Sequence, residues 1–303
     1  MKTVLLLHNP TAGDMEYSKE KLIDAIENGG YTCRYNSTKE DEWQDFDASA
    51  DILAVAGGEG TLRKAAMEIL KRELKEKETS PIAFIPLGTA NNLGKSMGLM
   101  REPEELVASW EAGDIKGLDV GKIKGCGDKL YFIEAFGFGI FPNLMNNMKK
   151  MDTREDVSAE EELELALKET LKIIKEYKAR DCNLVIDGID HSGKFLLVEI
   201  MNIKSIGPNL ELNPLGDPYD GEFEIIIIPE DQRERLEIFV QNKIDGSDEN
   251  ISFSSLKGKD ISITWDGKHG HVDDEIVKAD KTFDISLHMH QGILSMLMPG
   301  AEQ

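Results

Sequence analysis

Along the first third of the chain, short apolar runs alternate with longer stretches in which apolar residues recur every three to four positions. Thr3 to Leu7, Cys33 to Tyr35, Ile52 to Ala56 and Ile82 to Ile85 are bounded by turn formers and read as strands. Tyr17 to Glu27, closed by Gly29-Gly30, and Thr61 to Glu76, with Leu62, Ala65, Ala66, Ile69 and Leu70 on one face, read as helices. Strands alternating with helices predict an α/β domain with a mostly parallel sheet, whose ligand loops lie beyond the carboxyl ends of the strands. From about Ile115 the pattern becomes strand-rich: Asp119 to Ile123, Leu130 to Phe136, Asn183 to Ile186, Phe195 to Met201, Glu222 to Ile228, Ile251 to Leu256, Ile261 to Trp265 and Phe283 to His288. Two helical patterns interrupt it. Ala159 to Ala179 aligns Leu163, Leu167, Leu171 and Ile174, and Arg233 to Gln241 aligns Leu236, Phe239 and Val240.

Composition narrows the function classes. The 303 residues include 35 Lys and Arg against 57 Asp and Glu, a formal charge of −22. Affinity for nucleic acid and for anionic membrane surfaces comes largely from basic residues, so no nucleic acid partner is expected, and membrane contact should be transient. Cys33, Cys126 and Cys182 form no Cys-x-x-Cys pair and no even-numbered disulfide framework. Thr3 to Leu7 is too short for a secretory core and no run approaches a membrane span, so a cytoplasmic protein is expected. The acidic block Glu160-Glu161-Glu162 reads as a solvated helix start.

Three loops carry candidate chemistry. Asn9-Pro10-Thr11-Ala12-Gly13 follows the first strand, and Gly13 permits a left-handed turn. Gly57-Gly58-Glu59-Gly60-Thr61 joins the Ile52 strand directly to a helix, so backbone amides and the helix N-terminus can meet a phosphate, with Thr61 placed as N-cap. Leu87-Gly88-Thr89-Ala90-Asn91-Asn92-Leu93-Gly94 repeats the plan after the Ile82 strand. After parallel strands, all three converge on one edge of the sheet and suit a nucleotide.

Asn-Pro-x-x-Gly at 9–13, Gly-Gly-x-Gly-Thr at 57–61 and Pro-Leu-Gly-Thr-x-Asn at 86–91 resemble the diacylglycerol kinase catalytic-domain family. Asp119-Val120-Gly121, the Phe136 to Gly139 run, Asn202, Asn213-Pro214, Asp220-Gly221 and His271-Val272-Asp273-Asp274-Glu275 extend the resemblance over nearly the whole chain. It implies a Rossmann-like nucleotide domain, similar to those of NAD kinase and phosphofructokinase, over residues 1–114 plus 290–303, with Ile293 to Pro299 returning to it. A C-terminal β-sandwich for the lipid occupies 115–289. The implied reaction is Mg²⁺-dependent phosphoryl transfer from ATP to a lipid hydroxyl. By carry-over, Asn9, Pro10, Gly13, Thr38, Gly57, Gly58, Gly60, Thr61, Gly88, Thr89 and Asn91 line the nucleotide. Glu275 accepts the hydroxyl proton, Glu59 joins it as a catalytic carboxylate, and Asp217, Asp220, Glu222 and Asp119 hold metal. Expected partners are the nucleotide, the lipid and a second copy of the chain in a homodimer.

The chain departs from the family pattern in five places. The family normally has Asp at Glu59, often has Asp at Asn92, Gly at Asp274 and Asn at Glu134, and commonly places a basic residue where Asp14 follows Gly13. These departures leave two other readings open, a catalytically weak nucleotide- or lipid-binding homologue and an NAD kinase-like phosphotransferase. The pairs His269/His271 and His288/His290 share strand faces in the manner of zinc ligands, but they lack acidic or cysteine partners at ligand spacing, and His271 beside Glu275 is placed to touch substrate. Met289, Met296 and Met298 read as core packing.

Overall fold

A computed structural model describes residues 1–13, 17–41, 43–46, 50–73, 80–88, 90–151, 158–247, 249 and 251–300. The chain divides into two units, Met1–Asp119 with Gln291–Gln303, and Val120–His290.

The first unit runs β1 (Thr3–His8), α1 (Lys19–Asn28), β2 (Thr32–Ser37), β3 (Ile52–Gly57), α2 (Glu59–Glu73), β4 (Ile82–Pro86), α3 (Asn92–Ser96), α4 (Pro103–Ser109) and the start of β5 (Asp114–Lys124). β1 lies between β2 and β3, β4 joins β3, and all three pairings are parallel. Ile52 to Ala56 is buried throughout, because a parallel strand is covered on both faces. Leu62, Ala65, Ala66, Ile69 and Leu70 of α2 are buried as their spacing predicts. The last three residues of the helix predicted over Thr61 to Glu76 lie outside the described residues. α4 was not predicted, although Pro103 in its first turn, followed by Glu104 and Glu105, is a helix-start signal.

The second unit contains β6 (Tyr131–Phe132), β7 (Ala135–Gly139), α5 (Ile140–Met151), α6 (Ala159–Glu176), β8 (Arg180–Ile186), β9 (Ile189–Asp190), β10 (Gly193–Met201), β11 (Phe223–Pro229), α7 (Arg233–Ile244), β12 (Ser255–Gly258), β13 (Asp260–Trp265), β14 (His269–Val272), β15 (Glu275–Lys278) and the start of β16 (Phe283–Met298). β14, β7, β10 and β11 pair antiparallel, as do β8, β13 and β16. One core holds Phe136, Phe138, Val198, Ile200, Ile225 and Trp265, and Phe138 stacks on Trp265 with centroids 5.3 Å apart. A second lies under α5, α6 and α7, where Leu144, Ile174, Leu236 and Val240 meet Leu197, Met201, Ile226 and Ile228. Strands β10 and β11 therefore bury both faces, which is why they read as continuous apolar runs. Ser158 caps α6 with Glu161 in a reciprocal capping box, so the acidic block is a helix start.

Four differences from the sequence reading have local causes. The predicted strand Leu130 to Phe136 splits because the N–H groups of Ile133, Glu134 and Ala135 turn to the Asp273 carboxylate, at 3.2, 2.9 and 3.2 Å. Ile251 to Leu256 yields a ladder only from Ser255, since Phe253 is apolar for another reason: its ring packs edge-on against Phe239 of α7. α5 was missed, because its residues follow β7 without a break after Gly139. The predicted strand Phe283 to His288 continues to Met298, and its far end joins β4 in parallel, Met296 opposite Ile82.

Candidate functional site

The carboxyl ends of the first unit's parallel strands place the three predicted loops against one another. Asn9 N donates to Ala56 O at 2.9 Å and Leu87 N to Gly57 O at 2.9 Å, while Thr38 N, after β2, donates to His8 O at 2.9 Å. Asn9 Nδ2 reaches Thr61 Oγ1 at 3.3 Å, so the first and second loops share a side-chain contact. A Cβ on Gly88 would stand 2.9 Å from Gly58 Cα, and one on Gly57 would stand 2.7 Å from Thr61 Oγ1. Gly88 is glycine because the Gly58 backbone approaches this closely, and Gly57 because the Thr61 side chain packs against it. Gly13, at φ +57°, lies over the Leu87 carbonyl, where any side chain would collide. Asn9, Pro10, Gly13, Thr38, Gly57, Gly58, Gly60, Thr61, Gly88 and Asn91 thus share one sheet edge, and Thr89 lies outside the described residues, as does Asp14.

Two local assignments change. Helix α2 begins at Glu59, and both Thr61 N and Leu62 N donate to Gly58 O, so Gly58 occupies the cap position that the sequence reading gave to Thr61. The first-turn amides of such a helix have no partner within it and carry its partial positive charge. Gly88 N, in contrast, is donated to Asn91 Oδ1 at 3.0 Å, and Asn91 returns a bond to Gly88 O at 2.5 Å with its backbone left-handed, at φ 50°.

Glu59 does not stand free as a catalytic carboxylate. Its Oε1 accepts the Leu93 N–H at 2.5 Å, tying the start of α2 to the start of α3. Glu59→Gln is expected to lower the unfolding free energy by about 1 kcal/mol by weakening a charge-assisted bond, measurable by urea denaturation. Unchanged stability would show that the bond contributes nothing.

In the second unit, Glu275 opens β15 after the turn Asp273-Asp274, pairs with Val272, and its carboxylate contacts Lys129. Asp273, left-handed at φ 50°, anchors that turn through the three amides described above. His271 precedes it and is buried, with Nδ1 2.9 Å from Asp273 O and Nε2 2.9 Å from Glu199 Oε2. Glu199 and His271 lie on the strands either side of β7, both opposite Gly137, and they meet over it because glycine leaves the space open. Burial drives Glu199 above the usual carboxylate range. Burial also opposes a charged His271, but the Glu199 carboxylate and Asp273 together outweigh it and the imidazole titrates above its ordinary value. His271 therefore serves the fold interior and is not exposed to touch substrate, a correction to the sequence reading. Sequence reasoning also missed Glu199, whose signal is a lone charge inside the apolar run Leu196 to Met201.

The predicted metal residues do not form a ligand set. Among the described residues, no group of three or more His, Cys, Asp or Glu is placed to hold a metal ion. Asp119 lies buried in the first unit, its Oδ1 accepting Gly292 N at 2.7 Å. Asp217 accepts Tyr219 N at 3.1 Å within its own turn. Asp220 and Glu222 come together with Glu224, which sequence reading passed over, around the ammonium of Lys257. Burial and neighbouring Asp220 push the Glu224 carboxyl up to about 7. The histidine pairs hold no metal arrangement either: His288 bonds Asp260 and stands edge-on to His290.

Residues 3–123 match the family described as "Diacylglycerol kinase catalytic domain", and residues 154–281 match "YegS C-terminal NAD kinase beta sandwich-like domain". The chain is 24% identical over 242 residues to a protein of Bacillus subtilis (strain 168) named "Diacylglycerol kinase", covering 75% of this chain and 74% of that one. It is 27% identical over 244 residues to a Pseudomonas aeruginosa protein named "Probable lipid kinase YegS-like", covering 76% and 73%. A crystal structure described as a diacylglycerol kinase from Bacillus anthracis str. Sterne superposes with a TM-score of 0.70 at 19% identity, over 98% of this chain and 97% of that one, a likeness of fold. No described helix is long and apolar enough to cross a membrane.

Proposed function

We propose, from the premise that this chain belongs to the diacylglycerol kinase catalytic-domain family, that it transfers the γ-phosphoryl group of ATP to the hydroxyl of a diacylglycerol-like lipid. The observation that carries this reading is the packing of three glycine loops at the ends of parallel strands, where a Cβ on Gly88 would meet Gly58 Cα at 2.9 Å. The close approach lets main-chain donors come near a polyphosphate.

ATP with Mg²⁺ supplies the transferred group and neutralises its charge. The chain's own part is positioning and one proton transfer, the division of labour that phosphoryl transfer allows. The first-turn amides of α2 and the Asn9 to Gly13 turn hold the phosphates. Glu59 fixes the second loop to the third through Leu93, as a positioning residue. Glu275, held on the Asp273 turn, takes the proton of the attacking lipid hydroxyl at its carboxylate. With so acidic a surface, contact with the membrane that holds the substrate is transient.

The test is incubation with γ-labelled ATP, Mg²⁺ and mixed micelles of diacylglycerol, phosphatidylglycerol, sphingoid base or ceramide, with NAD as a soluble acceptor. Label in a lipid is expected. Label in NAD alone, or in no acceptor, overturns the reading.

A further inference from the structure

The turn Gly216 to Gly221 feeds β11, and β12 lies beside that strand with Lys257 directly opposite Glu224. The Lys257 ammonium stands 2.7 Å from Asp220 Oδ2, 3.4 Å from Glu224 Oε1 and 3.6 Å from Glu222 Oε2. Asp220 Oδ1 is spent on Glu222 N at 3.0 Å, which turns its other oxygen toward the lysine. One cation thus faces three carboxylates.

The cluster has an interior side. The Glu224 side chain is 1% exposed, yet neither of its oxygens closes a hydrogen bond, and Nδ2 of the adjacent buried Asn213 closes none. A buried carboxylate with no hydrogen bond is costly unless a cation compensates it. Lysine is a compact point charge on a flexible stem, able to sit among several oxygens without the fixed geometry of a guanidinium. The same oxygens would suit a hard divalent ion in both charge and ligand type.

We propose that Lys257 is the built-in cation of this turn: its ammonium holds Asp220, Glu222 and Glu224 together in the place assigned by sequence to magnesium, and its removal converts them into a divalent-cation site. The turn of this chain is therefore independent of metal, whichever lipid the protein phosphorylates.

The test uses nucleotide-free protein, so that no ATP-bound metal contributes. Wild type and Lys257→Arg are expected to melt at the same temperature in chelator and in millimolar MgCl₂ or CaCl₂. Lys257→Met is expected to melt lower in chelator, to recover by several degrees as metal is added, and to bind one ion per chain by calorimetry. Lys257→Met without any metal response would overturn the proposal. Should that variant not fold, titration of wild type with MnCl₂ decides alone: no site sensitive to Asp220→Asn supports the proposal, and a saturable site lost in Asp220→Asn contradicts it.

Discussion

Replacing Glu275 by glutamine is expected to lower kcat for lipid phosphorylation about 10²- to 10⁴-fold, the range that a positioned general base contributes. The substitution preserves shape and leaves an oxygen for Lys129 to contact, while the amide cannot take the hydroxyl proton. The KM values for ATP and lipid should hardly move, since the proton transfer belongs to the transition state alone. Melting should also be unchanged, because the Asp273 anchor that sets the turn stays intact. A variant that turned over at the wild-type rate would remove Glu275 from the mechanism, and a loss confined to KM would make it a binding residue.

The largest effect on stability is expected at Gly137. A methyl group there would collide with both oxygens of Glu199, so the Glu199–His271 pair could not form. Breaking a buried pair leaves an uncompensated charge and costs about 3–5 kcal/mol. Gly137→Ala should therefore melt roughly 10 °C lower, measured by calorimetry. Equal melting temperatures for wild type and variant would show that the pair is dispensable. The pair also has a pH signature. Glu199 and His271 both bind their protons more tightly folded than unfolded, so their contribution is full below ordinary values of 4.5 and 6.5, respectively, and is lost as pH rises through the folded values. The stability of wild type relative to a Glu199→Gln, His271→Gln double variant should fall from acid toward alkaline pH, and a rise would contradict the assignment.

The N-terminal architecture was legible because its signals are local. Continuous apolar runs such as Ile52 to Ala56, each followed by glycines and an amphipathic helix, specify buried parallel strands and their loops within short windows. What escaped depends on strand register between distant residues. Glu199 and His271 meet only because each stands opposite Gly137, and Lys257 meets Glu224 only because β12 pairs with β11. Both buried glutamates left a trace, a single acid inside a strand otherwise apolar, at Val198-Glu199-Ile200 and Phe223-Glu224-Ile225. Such a charge is not buried alone, so each implies a partner whose place along the chain the local pattern does not give. At the acidic turn 217–222, the lysine that faces Asp220 is carried on another strand, where the local pattern does not show it.

The three-loop cradle can be observed directly by titrating Mg²⁺ and a non-hydrolysable ATP analogue into ¹⁵N-labelled protein and following the backbone amide resonances. The largest shifts are expected at Gly13, Gly58, Glu59 and Gly60, with a smaller one at Gly88, whose N–H is already donated to Asn91. Saturable shifts confined to Val120–His290, with those loop amides unmoved, would contradict the account.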